Sequence, residues 1–128
     1  MKKLFSLLVV FFMFITTIKA EALSFEDAFA ETNKTPMVLL IYANWAENYQ
    51  SVQEQYKQVQ AELGSKFNFV ELDIASNEAK AFNDKFHIYP KLPYILMFRD
   101  GGKVSRYIPR DCASSASCVS SKLRSFIQ

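Results

Sequence analysis

The chain has 128 residues, of which half are hydrophobic and 15% aromatic, and it carries a formal net charge of +2 at pH 7. This length allows one compact domain with a real core and no more. Three of the fifteen basic side chains lie in the first twenty residues, so the remainder has twelve basic and thirteen acidic side chains. No cluster of Lys and Arg interleaved with aromatic residues remains, which argues against a nucleic-acid partner.

The N-terminal segment is typical of a secretory signal peptide. Two lysines follow Met1, an almost wholly apolar run extends from Leu4 to Ile18, and small residues at Ala20 and Ala22 form the pattern that a signal peptidase cleaves. The apolar run is shorter than the roughly 20 residues that span a bilayer, which disfavours an uncleaved membrane anchor. The sequence therefore predicts a signal peptide over residues 1–20, cleaved after Ala20 or Ala22, and one domain over residues 21–128 in a periplasmic or secreted protein.

The predicted domain begins with a short helix and a buried strand. Ser24 followed by Asp27 is a weak capping pattern, and apolar residues at helical spacing give this first helix an inward stripe of Phe25, Ala28 and Phe29. Residues 33–36 end the helix. Residues 37–42 form a continuous apolar run, which is typical of a central strand covered on both faces.

A long amphipathic helix is predicted next, because apolar residues recur at intervals of three and four from Tyr49 to Leu63, and Gly64 is well placed as its C-terminal cap. Residues 67–74 mix β-branched, aromatic and polar side chains, which favours a strand near the rim of the sheet. Ser76 or Asn77 can cap a third helix, whose inward residues are Ala79, Phe82 and Phe86.

The last elements are a hairpin and a closing helix. Residues 94–99 and 104–108 read as strands on either side of the turn sequence Asp100-Gly101-Gly102-Lys103. A serine-rich loop follows Pro109, and a final helix is predicted to face inward with Val119, Leu123, Phe126 and Ile127. The order α, β, α, β, α, β, β, α predicts an α/β fold with a central mixed sheet and helices on both faces.

The segment of residues 43–49 joins the central strand to the long helix, and such corners are where α/β folds usually keep their chemistry. Its aromatic-Ala-x-Trp pattern, ending at Trp45, resembles the active-site approach of thioredoxins, in which a Cys-x-x-Cys pair follows the tryptophan. Here Ala46 and Tyr49 stand at the two cysteine positions. Neither can form a thiolate, so neither can attack a disulfide.

A second signature strengthens the resemblance, which then covers nearly all of residues 21–128. Leu92-Pro93 precedes an apolar strand and Asp-Gly-Gly. In the thioredoxin family this proline is cis, faces the Cys-x-x-Cys pair across a cleft, and lets the preceding backbone pair with a bound peptide. Pro93 is the matching position, and Pro90 is a less favoured candidate for it. The resemblance implies a thioredoxin-like fold and a binding face formed by Trp45, Ala46, Tyr49, Leu92 and Pro93.

Two further departures from the family accompany the missing cysteines. Thioredoxins carry a buried aspartate on the central strand that helps to move protons for the resolving cysteine, and the matching position here is Leu40. A lysine that is often found on the following strand corresponds to Glu71. Because several cooperating parts are absent together, the sequence predicts a site that is natively without redox activity at its usual place.

The two cysteines, Cys112 and Cys118, are expected to be paired if the protein is exported to an oxidising compartment. Two interpretations of this pair remain open. It is either a structural disulfide that restrains a short Ala/Ser loop, or a relocated redox couple in which Cys118, near a helix N-terminus, has a depressed pKa. The Cys-x5-Cys spacing does not decide between them.

Other candidate catalytic or metal-binding residues receive little support. Glu47 at a helix start is typical of a solvated carboxylate favoured by the helix dipole. His87 is the only histidine and has no neighbouring acid or nucleophile in the sequence with which to form a triad, and one histidine with a paired cysteine couple cannot make a zinc site. We therefore expect no metal and no cofactor.

The sequence leaves two main hypotheses for function. The first is a non-catalytic, accessory or chaperone-like binding module that holds an extended peptide or an envelope protein at the face around Trp45 and Pro93. The alternative is a thiol-disulfide oxidoreductase that acts through Cys112 and Cys118. A purely structural subunit of an envelope assembly is a third hypothesis. Trp45 is central to the first. Its ring is expected to pack against the long helix, to belong to an exposed binding face, or to do both.

Overall fold

The computed structural model describes residues 23–128. The predicted signal peptide, residues 1–20, and the cleavage positions after Ala20 and Ala22 lie outside the described residues. None of the helices within residues 23–128 has the length and apolarity to cross a membrane. The elements of this part of the chain are α1 (Phe25–Ala30), β1 (Met37–Tyr42), α2 (Tyr49–Leu63), β2 (Asn68–Asp73), α3 (Asn77–Lys85), β3 (Tyr94–Arg99), β4 (Val104–Ile108), α4 (Arg110–Ala113) and α5 (Ala116–Phe126).

The four strands form one mixed sheet in the order β2-β1-β3-β4. β1 pairs in parallel with β2 and antiparallel with β3, and β3 pairs antiparallel with β4. Residues 37–41 of β1 are completely buried, as the continuous apolar run predicts for a strand covered on both faces. β2 lies at one edge of the sheet, which is also as predicted. The α/β fold with a central mixed sheet is thereby confirmed.

Alternation along β1 divides the core into two layers. Val38 and Leu40 face the layer formed with α2, α4 and α5. Met37, Leu39 and Ile41 face the layer formed with α1 and α3. The second layer is rich in phenylalanine, with ring centroids of neighbouring pairs 5.1–6.5 Å apart among Phe25, Phe29, Phe82, Phe86 and Phe98. Both faces of the sheet therefore bury apolar surface, which fixes the register of the central strand.

Two serines cap the short helices in the way that the sequence predicts. The Ser24 hydroxyl accepts a hydrogen bond from the Asp27 N–H at 3.1 Å. The Ser76 hydroxyl accepts one from the Ala79 N–H at 3.2 Å, so Ser76 rather than Asn77 is the cap of α3. Each bond satisfies one of the N–H groups that a helix start leaves without an intrahelical partner.

The region after β4 differs from the prediction in two respects. The expected serine-rich loop contains the short helix α4, whose Cys112 and Ala113 N–H groups donate to the Pro109 carbonyl oxygen. This turn forms because Cys112 and Ala113 pack into the core. Ile127, predicted to face inward, is exposed because α5 ends at Phe126 and the chain no longer follows the helical stripe.

Glycines shape two of the turns. Gly64 follows α2 at the predicted C-cap position, but its backbone is right-handed, and a side chain there would meet the Gln60 carbonyl oxygen. The predicted hairpin turn between β3 and β4 is a single 3₁₀ turn, Asp100–Gly102, with positive φ at Asp100, Gly101 and Gly102. Left-handed backbone is favourable for glycine because it has no Cβ, so the two glycines let the chain reverse within this short turn.

Candidate functional site

The connection between β1 and α2 is a compact corner at the C-terminal end of β1. The Ala46 N–H donates to the Ala43 carbonyl oxygen at 3.0 Å, and the Tyr49 N–H donates to the Ala46 carbonyl oxygen at 3.2 Å. Asn48, the N-cap of α2, has a left-handed backbone with φ of 64° and makes no side-chain cap. These turns direct residues 44–48 outward from the end of the sheet.

Trp45 lies at the tip of this corner with 72% of its surface exposed. The packing interpretation, in which its ring fills the space against the long helix, is therefore wrong, because a ring in that position would be largely buried. Ala46 packs against the core layer of α1 and α3. Tyr49 is half-buried, and its ring stacks on that of Tyr42 with 5.0 Å between centroids. The corner therefore presents one exposed indole on a well-packed base.

The register of the sheet places Pro93 beside this corner. Tyr94, the first residue of β3, pairs with Ile41 of β1, so the preceding Leu92-Pro93 segment reaches the C-terminal end of β1 where the corner begins. The Leu92–Pro93 peptide bond is cis, and both residues are buried. Pro90 does not take this place, and the Tyr89–Pro90 bond is not among the cis peptide bonds of the described residues. The match of Pro93 to the family proline is thus supported by both position and geometry.

Arg110 reaches back to this segment from α4. Its Nη1 donates to the Leu92 carbonyl oxygen at 3.4 Å, a long and weak hydrogen bond. That carbonyl belongs to the backbone that the family resemblance assigns to peptide pairing. The sequence gives no sign of this role for Arg110, because the contact depends on how α4 folds after β4 and no local pattern signals it. Arg110 therefore adds a cation to the margin of the candidate site.

The two cysteines form a disulfide, with an S–S distance of 2.06 Å. Cys112 lies in α4 and is 9% exposed, and Cys118 is half-buried in the first turn of α5. β4 ends at Ile108, which pairs with Ile95 near the Pro93 end of β3. The disulfide-bonded segment therefore follows the strand end that lies on the same side of the sheet as Trp45 and Pro93.

Leu40 and Glu71, which differ from the family pattern, each make defined contacts in the structure. Leu40 is completely buried and packs in the layer of α2 and α5, so an apolar side chain fills the place of the family aspartate. Glu71, beside it on β2, accepts a hydrogen bond from the Gln53 amide at 2.9 Å and lies 3.8 Å from the Lys57 ammonium group. The Glu71 carboxylate therefore has two protein partners, one on each side of a turn of α2.

Tyr42, the last residue of β1, is a titratable group at the base of the corner. Burial raises its pKa, and the charges of Asp73, Tyr49 and Glu71 raise it further. Its hydroxyl is therefore protonated at neutral pH and can donate a hydrogen bond, but it is not available as a base. The base of the corner thus offers polar contacts rather than acid-base chemistry.

The remaining candidates are solvent-facing. Glu47 and His87 are exposed, and the His87 ring lies 6.0 Å from that of Tyr89. Within residues 23–128, no group of three or more His, Cys, Asp or Glu side chains could hold a metal ion. The described residues thus place neither a triad nor a metal-binding cluster around these two side chains.

Comparisons with known proteins agree with this architecture. The thioredoxin family model matches residues 16–118, whereas no curated protein matches the chain. One similar solved structure is chloroplastic thioredoxin z, with 19% identity and a TM-score of 0.61, where the match covers 82% of this chain and 91% of that one. Another is Fasciola hepatica thioredoxin, with 20% identity and a TM-score of 0.56, covering 80% and 86%.

A third similar structure is the short form of thioredoxin f from spinach chloroplast, with 15% identity and a TM-score of 0.64, covering 81% of this chain and 87% of that one. Similarity at these identities establishes the fold and not the activity. The family match spans most of the chain, and the structure reproduces the mixed sheet, the tryptophan corner and the cis-proline. The chain belongs to the thioredoxin family.

Proposed function

We propose that this protein is an exported, redox-silent member of its family that binds an extended peptide or a protein partner at the face around Trp45 and Pro93. The observation that carries the proposal is the exposure of Trp45, at 72%, on a corner anchored by Ala46 and Tyr49. Exposing a large indole to water is unfavourable, and tryptophan is enriched among the residues that dominate binding interfaces. A partner that covers Trp45 would remove that cost.

The position of the Leu92-Pro93 segment supports an extended partner. It precedes β3 at the same end of the sheet as Trp45, and the Leu92 carbonyl oxygen has one long hydrogen bond, to Arg110. A peptide that lies across this end can pair its backbone with Leu92 while one of its side chains packs on Trp45. Backbone pairing of this kind supplies affinity, and the neighbouring side chains supply specificity.

The side chains at the family's cysteine positions favour binding over catalysis. Ala46 has no nucleophile, and the Tyr49 ring is stacked on Tyr42. A partner held here would therefore be released by dissociation alone, since no covalent intermediate can form between these positions and a disulfide.

The oxidoreductase alternative depends on Cys112 and Cys118. The position of Cys118 in the first turn of α5 favours it, because the helix dipole stabilises negative charge there. The burial of Cys112 opposes it, because a catalytic disulfide must be reached by a partner thiolate. We therefore propose a structural disulfide, and we propose export to the periplasm or beyond because disulfides persist in oxidising compartments.

Trp45 allows a direct test because it is the only tryptophan in the chain. The protein is titrated with reduced, S-alkylated ribonuclease A, an unfolded polypeptide that has no tryptophan and no free thiol. We expect the Trp45 emission to shift to shorter wavelength and its quenching by acrylamide to fall as the indole is covered. A spectrum unchanged at saturating polypeptide would contradict binding at this face.

Two variants separate the hypotheses. With a fluorescently labelled polypeptide, Trp45→Ala should weaken binding by about tenfold or more, as expected for an interface hot spot. Ile127→Ala, which also truncates an exposed apolar side chain, serves as the matched control and should bind normally. The double variant Cys112→Ser/Cys118→Ser should retain binding, whereas an oxidoreductase would lose thiol-disulfide exchange activity in that variant.

A further inference from the structure

The charges of the described chain are divided between its two halves. Residues 23–84 carry ten acidic and four basic side chains, whereas residues 85–128 carry two acidic and eight basic ones. The first half contributes β1 and β2, and the second half contributes β3 and β4. Since the sheet order is β2-β1-β3-β4, the strands of the acidic half lie on the β2 side of the sheet and those of the basic half on the β4 side.

A groove of about 280 Å³ lies on the β4 side of the sheet, between the β3-β4 hairpin and α5. Three cationic side chains, Arg99, Arg106 and Lys122, line it together with Met97 and Phe126. Arg99 is partly neutralised by Asp100 and is held by the Phe126 carbonyl oxygen at 3.0 Å. Within residues 23–128, Arg106 and Lys122 have no carboxylate partner. The groove therefore combines an apolar floor with two cations available to an anionic group.

The opposite face of β4 is aromatic. Tyr107 is 42% exposed, and its ring lies 5.5 Å from that of Tyr89, which is 46% exposed. Both rings contact the buried Tyr94, and the Tyr94 hydroxyl accepts a hydrogen bond from the Tyr89 N–H at 3.1 Å. This network holds two partly exposed rings side by side next to the strand.

β4 is the terminal strand of the sheet in the described part of the chain. A terminal strand has a row of backbone N–H and C=O groups that can pair with another strand. Successive side chains of an added strand would point alternately to the two faces. One set would meet Arg106 and Lys122, and the other set would meet Tyr107 and Tyr89.

We propose that the β4 edge binds an extended acidic peptide by strand addition, with acidic residues at alternate positions on the groove side and aliphatic or aromatic residues on the tyrosine side. Charge complementarity selects this partner, because both the groove and the surrounding half of the protein are basic. The site uses neither Trp45 nor Leu92 nor Pro93, and it does not depend on the function proposed for the Trp45 face.

Cations on an edge strand have another known role, which is to discourage pairing between sheets. Arg106 fits that role in part, since its guanidinium donates to the Ser105 carbonyl oxygen at 2.8 Å. Edge protection alone predicts that no peptide binds β4. The groove and the tyrosine pair have no place in that explanation, whereas strand addition uses both.

The test uses an acetylated and amidated octapeptide of alternating Glu and Val with a fluorescent label, and it measures anisotropy with the purified protein. We expect binding that weakens with added salt, and no binding of the corresponding Lys and Val peptide. Arg106→Gln and Lys122→Gln should each weaken binding by about three- to tenfold. The matched control Lys66→Gln, which removes an exposed charge before β2, should change the affinity less than about twofold.

Peptide N-methylation tests the strand geometry. Methyl groups on the residues whose N–H groups face β4 should abolish binding, and methyl groups on the intervening residues should have little effect, because only alternate N–H groups pair with a neighbouring strand. Equal effects of the two sets would overturn strand addition. Absence of binding, or wild-type affinity in both Arg106→Gln and Lys122→Gln, would also overturn the proposal.

Two further outcomes would show that the peptide binds another face or that another molecule occupies the β4 edge. Loss of Glu/Val peptide binding in Trp45→Ala would show that the peptide uses the Trp45 face, which would overturn the β4 site. A dimer of the protein alone that dissociates in Arg106→Gln would show that a second copy occupies the edge, which would also overturn it. Normal peptide binding by Trp45→Ala supports the β4 site regardless of whether the Trp45 face has a partner.

Discussion

The Tyr56 hydroxyl lies 2.7 Å from the carbonyl oxygen of Val70 and accepts a hydrogen bond from the N–H of the same residue at 3.1 Å. It also lies 2.9 Å from the Val38 carbonyl oxygen. Tyr56 is on α2, Val38 on β1 and Val70 on β2, so one buried hydroxyl joins the long helix to two parallel strands. Because its single proton can serve only one carbonyl fully, the shorter contact to Val70 is the main donated bond.

Removing this hydroxyl should destabilise the protein without changing its fold. Tyr56→Phe leaves polar backbone groups buried with no partner, which costs about 1–3 kcal/mol of the free energy of unfolding. Urea denaturation followed by circular dichroism measures the loss. Tyr107→Phe, which removes an exposed hydroxyl, is the control and should change the stability by less than about 0.5 kcal/mol. Equal stability of the two variants would contradict the role assigned to Tyr56.

Stability should also fall in alkaline solution. Burial raises the pKa of Tyr56 well above its ordinary value near 10, and Glu71 raises it further. An acid whose folded-state pKa is raised contributes stability that is fully present below the unfolded pKa and is lost as pH rises through the folded pKa. From about pH 10 upward, Tyr56 ionises in the unfolded state but keeps its proton in the folded state. This difference should lower the free energy of unfolding by about 1.4 kcal/mol per pH unit.

Comparison with Tyr56→Phe isolates this contribution from that of the lysines, which titrate in the same range. The wild-type protein should lose stability more steeply than the variant above pH 10 in urea denaturation series. Phenolate absorbance should show that Tyr42, Tyr56 and Tyr94 ionise later than ordinary tyrosines, because burial raises the pKa of each. Parallel stability curves for wild type and variant would contradict the buried-hydroxyl explanation.

The disulfide should behave as a structural bridge. It closes a loop with a sequence separation of six, so its removal in Cys112→Ala/Cys118→Ala should cost about 2 kcal/mol on the loop-entropy model. Equilibration in thiol buffers of graded potential, with alkylated thiols counted by mass, should give a reduction potential below about −300 mV. A value between about −270 and −120 mV would instead match catalytic disulfides and favour the oxidoreductase hypothesis.

Arg110 should limit access to the Leu92 carbonyl oxygen. A peptide N–H that pairs with this oxygen must displace the Arg110 guanidinium, whose contact at 3.4 Å is weak. Arg110→Ala should therefore strengthen binding of reduced, S-alkylated ribonuclease A by about two- to tenfold, the equivalent of one net hydrogen bond. Lys91→Ala removes an exposed positive charge next to Leu92 without freeing the carbonyl, and it should leave the affinity unchanged. Similar gains in both variants would indicate a charge effect instead.

Trp45→Ala should separate binding from stability. Because the indole is mostly exposed, its loss should change the free energy of unfolding by no more than about 0.5 kcal/mol. Differential scanning calorimetry should therefore give nearly the same transition for the wild type and the variant. A large loss of stability would mean that the indole is packed in solution, and it would remove the basis for a binding face at this corner.

The strands and helices were predictable because their patterns are local. The continuous apolar run of residues 37–42 matches β1, and the three- and four-residue spacing from Tyr49 to Leu63 matches α2. The same reasoning failed after Pro109, because α4 has only four residues and is too short to show a helical repeat of apolar side chains. Its turn forms because Cys112 and Ala113 are drawn into a core built by distant elements.

The features of the candidate site also fall into those that residue identity predicts and those that depend on folding. Residue identity alone shows that Ala46 and Tyr49 carry no thiol, that Leu40 is apolar, and that Trp45 and Pro93 match family positions, since identity fixes which groups can react. Folding is needed to show that Trp45 is exposed, that Arg110 reaches Leu92, and that cations and tyrosines flank opposite faces of β4. These features depend on strand pairing and helix packing between segments far apart in the chain, and no local pattern of residues encodes them.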